Sequence, residues 1–376
     1  MSAAKRRVAI TGLGLVTPVG NDVATTWNAV LTGRSGTAPI SLFDASGFST
    51  RIAAEVKGFD DSKLDADRKL IKFANRSHRF ALAAAEQAIR DAGIAPTPAT
   101  GERWGCAVGT GMMGVAYEDL AGVQDQAAAD GELHPDLLLQ NEKATDPMVF
   151  CRSQAAGGLA LLTRRFGIRG YATSVHTACA SGGQALGTAL KLIRRGSVDF
   201  ALAGGFDSMI SPVGLAGFCL LSAVSADNDT PERASRPFDA TRNGFRARRR
   251  RGISGARGVG VGAATGAHIY AELAGDGNSL SSYRITDSPP DGDGPIQSMR
   301  SALADAGATP ADVDYINAHG TSTFMNDKSE SAAIHAVFGS HVQRGVGQLH
   351  QEHDGAPDCR RGRGRGGALR ARHRAR

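Results

Sequence analysis

Aromatic residues are scarce in this sequence: they make up 6% of 376 residues, and only two are tryptophan. That scarcity, set beside 48 glycines, excludes a core built on aromatic clusters and suits tightly packed α/β layers with short turns. No stretch approaches the roughly 20 consecutive apolar residues of a membrane span. The five cysteines (Cys106, Cys151, Cys179, Cys219 and Cys359) are scattered and form no CxxC pair. This argues against a disulfide scaffold or zinc site and for a cytoplasmic, reducing setting. The basic start runs straight into the strand-like Val8-Ala9-Ile10-Thr11 with no apolar h-region or cleavage site, so no secretory signal is expected. The length allows one large two-part core or two ordinary domains.

Acidic residues are missing from one stretch in particular. The formal net charge is +6, yet residues 246–266 hold six arginines and no acid, and residues 344–376 hold nine arginines against three acids. Without these two segments the remaining chain is mildly acidic, so the basic balance is no property of the main body. Neither segment has helical or strand periodicity. Three readings stand side by side: a basic linker and tail, an Arg/Gly segment that binds RNA, or a displaced reading frame. The third has a test on paper. Reading from the second base of each codon, residues 246–262 permit Ala-Leu-Gly-Asp-Gly-Ala-Gly-Phe-Leu-Val-Leu-Glu-Glu-Leu-Glu-Ser-Ala. That is a glycine-rich turn, an apolar strand and an acidic helix start. The same reading from residue 348 permits Ser-Ser-Thr-Lys-Ser-Met-Thr-Gly-His.

Elsewhere strands and helices alternate. Residues 8–14 are an apolar run ending in glycine, as in a buried strand, and 77–92 carry apolar residues at helical spacing with Gly93 as the stop. Residues 104–109 and 200–204 read as strands, 181–195 as a helix closed by Gly196, 299–306 as a short helix and 313–318 as a strand. The pattern indicates an α/β protein with largely buried sheets.

Two places carry chemistry. In His176-Thr177-Ala178-Cys179-Ala180-Ser181-Gly182-Gly183-Gln184 a strand delivers a thiol to the first turn of a helix, whose N-terminus should lower the thiol pKa. Backbone N–H groups of that turn suit the oxyanion of a tetrahedral intermediate. The alternative is a small buried hydrophobe, as most free cysteines are. In Asn317-Ala318-His319-Gly320-Thr321-Ser322-Thr323 a histidine at a strand end precedes hydroxyl residues. Alone it reads as a turn histidine; together with Cys179 it makes a catalytic constellation.

Cys179 within TACASGG, Arg236-Pro237-Phe238-Asp239, and His319 within NAHGTST together resemble the elongating β-ketoacyl-acyl-carrier-protein synthases, the type II bacterial enzyme most closely. The resemblance covers residues 6–245 and 267–343. It implies a thiolase-type layered αβαβα fold of two similar halves, with the C-terminal half incomplete, and a homodimer. The halves are expected at 1–245 and 267–343, with displaced-frame segments at 246–266 and 344–376. It implies decarboxylative condensation of malonyl-acyl-carrier protein with an acyl chain carried on Cys179. His319 matches the first of two family histidines that stabilise the developing enolate. Thr321 and Thr323 match residues that hydrogen-bond the pantetheine arm, and Glu330 matches an acid that pairs with the family lysine. Acyl-carrier protein is the implied partner; no cofactor, metal, nucleic acid or membrane is implied. A polyketide ketosynthase shares this chemistry, and a non-catalytic ketosynthase-like subunit generally lacks the nucleophile that Cys179 supplies.

The family's lysine and Gly-His motifs are absent after residue 343 as written, although the second-base reading contains both. The family's gating phenylalanine also belongs to that stretch. Phe324 stands where the family usually has proline. Three weaker signals remain. The GxGxxG spelled by residues 109–114 reads as a close-packed turn rather than a nucleotide loop. Residues 148–162 read as core, or as a lining of the dimer or acyl tunnel. Arg194-Arg195 read as helix-end cations or a carrier-protein landing point. Sequencing of the coding DNA is expected to find a displaced frame across residues 246–264 and again after about residue 344; an unambiguous read of the residues as written would overturn that expectation.

Overall fold

Nine residues, Val8–Val16, form strand β1, and two of its glycines explain how it packs. Helix α3 (Arg76–Ala92) lies so close that a Cβ at Gly12 or Gly14 would overlap the backbone carbonyls of Ala88 and Ala84. The same helix is capped at its start by Asn75, whose side chain accepts from His78 N at 3.0 Å, and stopped by Gly93 at φ +65°. These are the physical counterparts of the periodicity and stop signal in the sequence. The computed structural model describes residues 6–64, 68–111, 117–134, 136–137, 146–245, 247–248, 251–258, 267–284, 287–339 and 347–350.

Before α3 come α1 (Val23–Leu31), β2 (Thr37–Pro39), β3 (Ile52–Ala54) and α2 (Arg68–Ile71). After it run β4 (Trp104–Gly109), α4 (Tyr117–Ala127), β5 (Ala128–Ala129), β6 (Glu132–Leu133), α5 (Pro147–Ser153) and α6 (Gly157–Phe166). The segment that holds Cys179 follows as β7 (Ala172–Val175), α7 (Ser181–Arg194), β8 (Phe200–Gly205) and α8 (Pro212–Leu220). Then come β9 (Ala247–Arg248), β10 (Arg251–Gly258), β11 (Ala271–Glu272), α9 (Asp293–Ala306), β12 (Tyr315–Ala318), α10 (Phe324–Phe338) and β13 (Gly347–His350).

The main sheet has the order β11-β1-β10-β8-β4-β7. β4 runs parallel to β7 and β8, whereas β10 is antiparallel to both its neighbours. Helices cover both faces. On one side Phe80 and Leu82 of α3 and Leu162 of α6 pack with Trp104, Cys106 and Leu202 of the sheet. On the other, Ala185, Ala189, Leu190 and Ile193 of α7 pack with Ala107, Ala201 and Ala203. Fully burying a Leu or Ile stabilises by about 1.5–3 kcal/mol, and the small sheet residues let α7 approach closely.

The far side of α7 meets the second half of the chain. Lys191 reaches Asp276 at 2.6 Å and Arg194 reaches Asp305 at 2.7 Å, tying α7 to the loop before α9 and to α9 itself. There α9 packs on α10, and β12 pairs with β13 in parallel. The described layers are therefore helices, sheet, helix, and a smaller second unit whose sheet shows two strands.

The arginine-rich segments depart from the sequence expectation. Residues 247–248 and 251–258 are strands, and β10 lies at the centre of the main sheet. Backbone hydrogen bonds from β1 and β8 create that place whatever the local periodicity, and no proline in Arg251–Gly258 blocks pairing. The first sheet thus extends past residue 245, taking in both β10 and β11. Likewise Gly347–His350 pairs with β12 although the text there lacks strand alternation. Residues 351–376 lie outside the described residues.

Register sharpens the displaced-frame reading. Position 253 stands opposite Gly14 on one side and Gly204 on the other, 255 opposite Gly12 and Leu202, and 256 opposite Ile10 and Ala201. The second-base reading puts Phe at 253, Val at 255 and Leu at 256. A large ring would fall between two glycines, and an apolar run would occupy a strand flanked on both sides. The residues as written place Arg257 opposite Ala9 and Phe200 instead.

His78 makes the fold sensitive to acid. It is 4% exposed, its ring is edge-on to Phe206 at 5.9 Å, and burial pushes its pKa down to about 4. The unfolded chain takes up that proton near pH 6.5, so stability is lost as pH falls from there towards 4. A His78→Gln variant is expected to flatten the pH dependence of unfolding free energy between 7 and 4 by roughly 2–3 kcal/mol; urea melts that give both proteins the same change in unfolding free energy over that pH range would contradict this.

Candidate active site

Strand β7 ends at Val175, and Ala178 then takes φ +50°, a left-handed backbone uncommon for a residue with a Cβ. Its sharp bend presents Cys179 in a short 3₁₀ turn, Ala178–Ala180, that runs directly into α7. Ala180 supplies no side-chain cap; Ala180 N and Ser181 N donate to Thr177 O and Ala178 O within the turn, and the positive end of the helix dipole favours an anion held there. Gly109, at the end of β4, has to be glycine: a Cβ there would overlap the backbone of Ser181. This is the close-packed turn expected of the 109–114 stretch; Met112–Gly114 lie outside the described residues.

Environment separates the cysteines. Cys179 is exposed, whereas Cys106 is buried in β4, where desolvation pushes its thiol up to about 12. A thiol in that state is inert. Cys151 and Cys219 are half-buried. Among the described residues no group of three or more His, Cys, Asp and Glu side chains is disposed to hold a metal ion.

The second predicted site forms a tight loop after β12. Both oxygens of Glu330 accept backbone N–H groups, from His319 at 2.6 Å and Gly320 at 2.8 Å. Glu330 was expected to pair with a lysine; in this structure its carboxylate fixes the backbone that carries His319. The hydroxyls of Thr321 and Thr323 are 2.8 Å apart and partly buried. The structure thus brings His319, Thr321, Thr323 and Glu330 together.

Sequence reasoning missed what anchors this loop. Asp327 is 2% exposed and accepts from Ser322 N at 3.1 Å and Phe238 N at 2.8 Å, with Arg242 Nε at 3.5 Å. Ser322, at φ +64°, also accepts through Oγ from Arg236 N at 3.0 Å. So Arg236-Pro237-Phe238-Asp239, noted only as a motif, docks the histidine loop onto the first half of the chain. A partner 89 residues away in sequence leaves no local signal. The turn holding Cys179 is anchored to the ends of β4 and β8, and the His319 loop to Glu330 and, through Asp327, to Phe238.

The weaker signals divide. Leu161 and Leu162 are core, but Phe150 in the same apolar stretch is 69% exposed. Arg194 is held by Asp305 and by the carbonyl of Ala274, and Arg195 caps α7 beside the ring of Tyr171.

The family model described as Beta-ketoacyl synthase, N-terminal domain, matches residues 5–247, and Beta-ketoacyl synthase, C-terminal domain, matches residues 270–349. The first match ends two residues inside the first arginine-rich segment, and the second begins four residues past it. A 3-oxoacyl-[acyl-carrier-protein] synthase 2 from Coxiella burnetii is 36% identical over 352 residues, covering 90% of this chain and 79% of that protein. One from Synechocystis is 37% identical over 338 residues, covering 90% and 78%. Among solved structures, the ishigamide ketosynthase/chain length factor superposes with TM-score 0.80 at 32% identity, over 93% of this chain and 81% of that one. A type II PKS acyl-carrier protein in complex with its ketosynthase gives TM-score 0.77 at 32% identity, over 93% and 82%. The fold is therefore the thiolase-like fold of the ketosynthases.

Proposed function

Because the chain belongs to the β-ketoacyl synthase family, we propose that it is a condensing enzyme of fatty-acid elongation whose nucleophile is Cys179. The observation that carries this reading is the exposed thiol at the strained entry to α7. The Cys179 thiolate attacks the thioester carbonyl of acyl-acyl-carrier protein, and the carrier's thiol leaves. Backbone donors of the turn hold the oxyanion. Malonyl-carrier protein then loses carbon dioxide, and the carbanion attacks the Cys179 thioester. The new carbon–carbon bond releases the Cys179 thiolate and β-ketoacyl-carrier protein. His319 donates to the enolate oxygen as charge develops there, and Thr321 and Thr323 hydrogen-bond the pantetheine arm.

Two surface features support the partners. Arg68, Lys69, Lys72 and Arg76 are exposed within nine residues around the start of α3, a surface suited to an acidic carrier. β7 is an edge strand of the main sheet beside the 47%-exposed Tyr171, which supports a homodimer closed along that edge. The free cysteines of the described residues suit a cytoplasmic enzyme. Polyketide extension is the second reading, favoured by the solved ketosynthases that superpose on the chain.

The two half-reactions are expected to separate. Incubated with acyl-loaded acyl-carrier protein, the 376-residue chain is expected to gain an acyl mass on the peptide holding Cys179, and Cys179→Ala to lose it. Addition of malonyl-carrier protein is expected to yield condensation at least ~10²–10³ slower than in complete family members, since one of two enolate donors is missing. Acyl groups found on Cys151 or Cys219 instead would overturn the assignment of Cys179, and condensation at the full rate would overturn the loss of the second enolate donor.

A further inference from the structure

The turn that presents Cys179 is held in place by a chain of hydrogen bonds that crosses three strand ends. Ser181, the first residue of α7, is fully buried. Its Oγ accepts from Thr177 N at 2.8 Å and donates to Ala178 O at 2.7 Å, with Thr110 O at 3.2 Å. Both residues of the bend before Cys179 are thereby fastened from one hydroxyl. Thr110 and Gly111 follow β4, and both turn to the carboxylate of Asp207, which follows β8. Thr110 Oγ1 donates to Asp207 Oδ1 at 2.8 Å, and Gly111 N lies 3.1 Å from Oδ1 and 3.0 Å from Oδ2. Gly111 in turn lies against the bend, since a Cβ on it would sit 3.5 Å from Ala178 Cα.

A carboxylate is acceptor-only, so it satisfies these donors at once, and an ionised acceptor makes the stronger kind of hydrogen bond. The strain it helps hold is specific. Ala178 takes a left-handed φ of +50° that an alanine abandons unless its surroundings fix it. If that bend relaxes, Cys179 leaves its alignment with the first-turn N–H groups of α7, which favour the thiolate.

We infer that Asp207 and Ser181 are positioning residues for the nucleophile, forming a brace from β8 through Thr110 and Gly111 to the Thr177-Ala178 bend. The inference rests on Cys179 being the nucleophile. The brace acts on the reactivity of the thiol and touches no substrate.

The test follows alkylation of Cys179 by iodoacetamide across a pH series in the 376-residue chain, reading each cysteine peptide by mass. Cys151 and Cys219 serve as internal references. In the unmodified chain Cys179 is expected to react with a lower pH midpoint than either reference. Ser181→Ala and Asp207→Asn are expected to raise that midpoint by about one pH unit and slow reaction at pH 7 about tenfold. Asp207→Glu, which keeps the acceptor charge, is expected to recover part of the loss. If Ser181→Ala does not fold, the Asp207→Asn and Asp207→Glu pair decides alone. Variants that lower the melting temperature but leave the Cys179 midpoint unchanged would overturn the brace while leaving the nucleophile standing. A Cys179 in the unmodified chain no more reactive than Cys151 and Cys219 would overturn the nucleophile reading, and the brace with it.

Discussion

Among the described residues, strand β10 is the only strand that joins β1 to the parallel strands β8, β4 and β7. Its hydrogen bonds run to β1 on one side and to β8 on the other. Helix α3 packs on β1 and β10, and α7 packs on β4, β8 and β10. Without that strand the α3 layer and the layer holding Cys179 would no longer share one sheet. A central strand is flanked by partners on both edges and covered by helices on both faces, so apolar residues suit it and arginine does not. The most demanding position in the first half therefore carries the least suitable sequence in the chain. The alternative reading frame supplies Phe, Leu, Val and Leu at positions 253–256, where register sets Gly14 and Gly204 on either side of the ring.

The Cys179 and His319 loops depend on that layer in different ways. Cys179 sits at the C-terminal end of β7, where the parallel strands β4 and β8 also end and contribute Thr110, Gly111 and Asp207. His319 comes from the second half, yet its loop is fixed from the first by Phe238, Arg236 and Arg242 through Asp327 and Ser322. The Arg236–Asp239 turn is thus the physical joint between halves at the site.

Much of this was legible in the sequence where the cause is local. The stop of α3 at Gly93, the strands at 104–109 and 200–204, and the placement of Cys179 between a strand and a helix all follow from short-range pattern. The αβ layering followed from their alternation. What escaped sequence reading depends on distant pairing. Asp207 acts on Thr110 and Gly111 across 97 and 96 residues, and Asp327 on Phe238 across 89. Residues 251–258 were read as patternless because their strand is imposed by neighbours. Helix α9 begins at Asp293, six residues before the apolar spacing announces it, because its first turn rests against Ser281 through the small Gly294.

Thermal unfolding tests the dependence on β10 most directly. A chain carrying the second-frame residues at positions 246–262 is expected to melt higher than the chain as written, by roughly 10 °C or more given the side chains newly buried at the sheet centre. Cys179 should remain open to acylation in both. An unchanged or lower melting temperature would contradict the account, because it would mean that Arg251–Gly258 already fills the centre of the sheet as well as an apolar strand can.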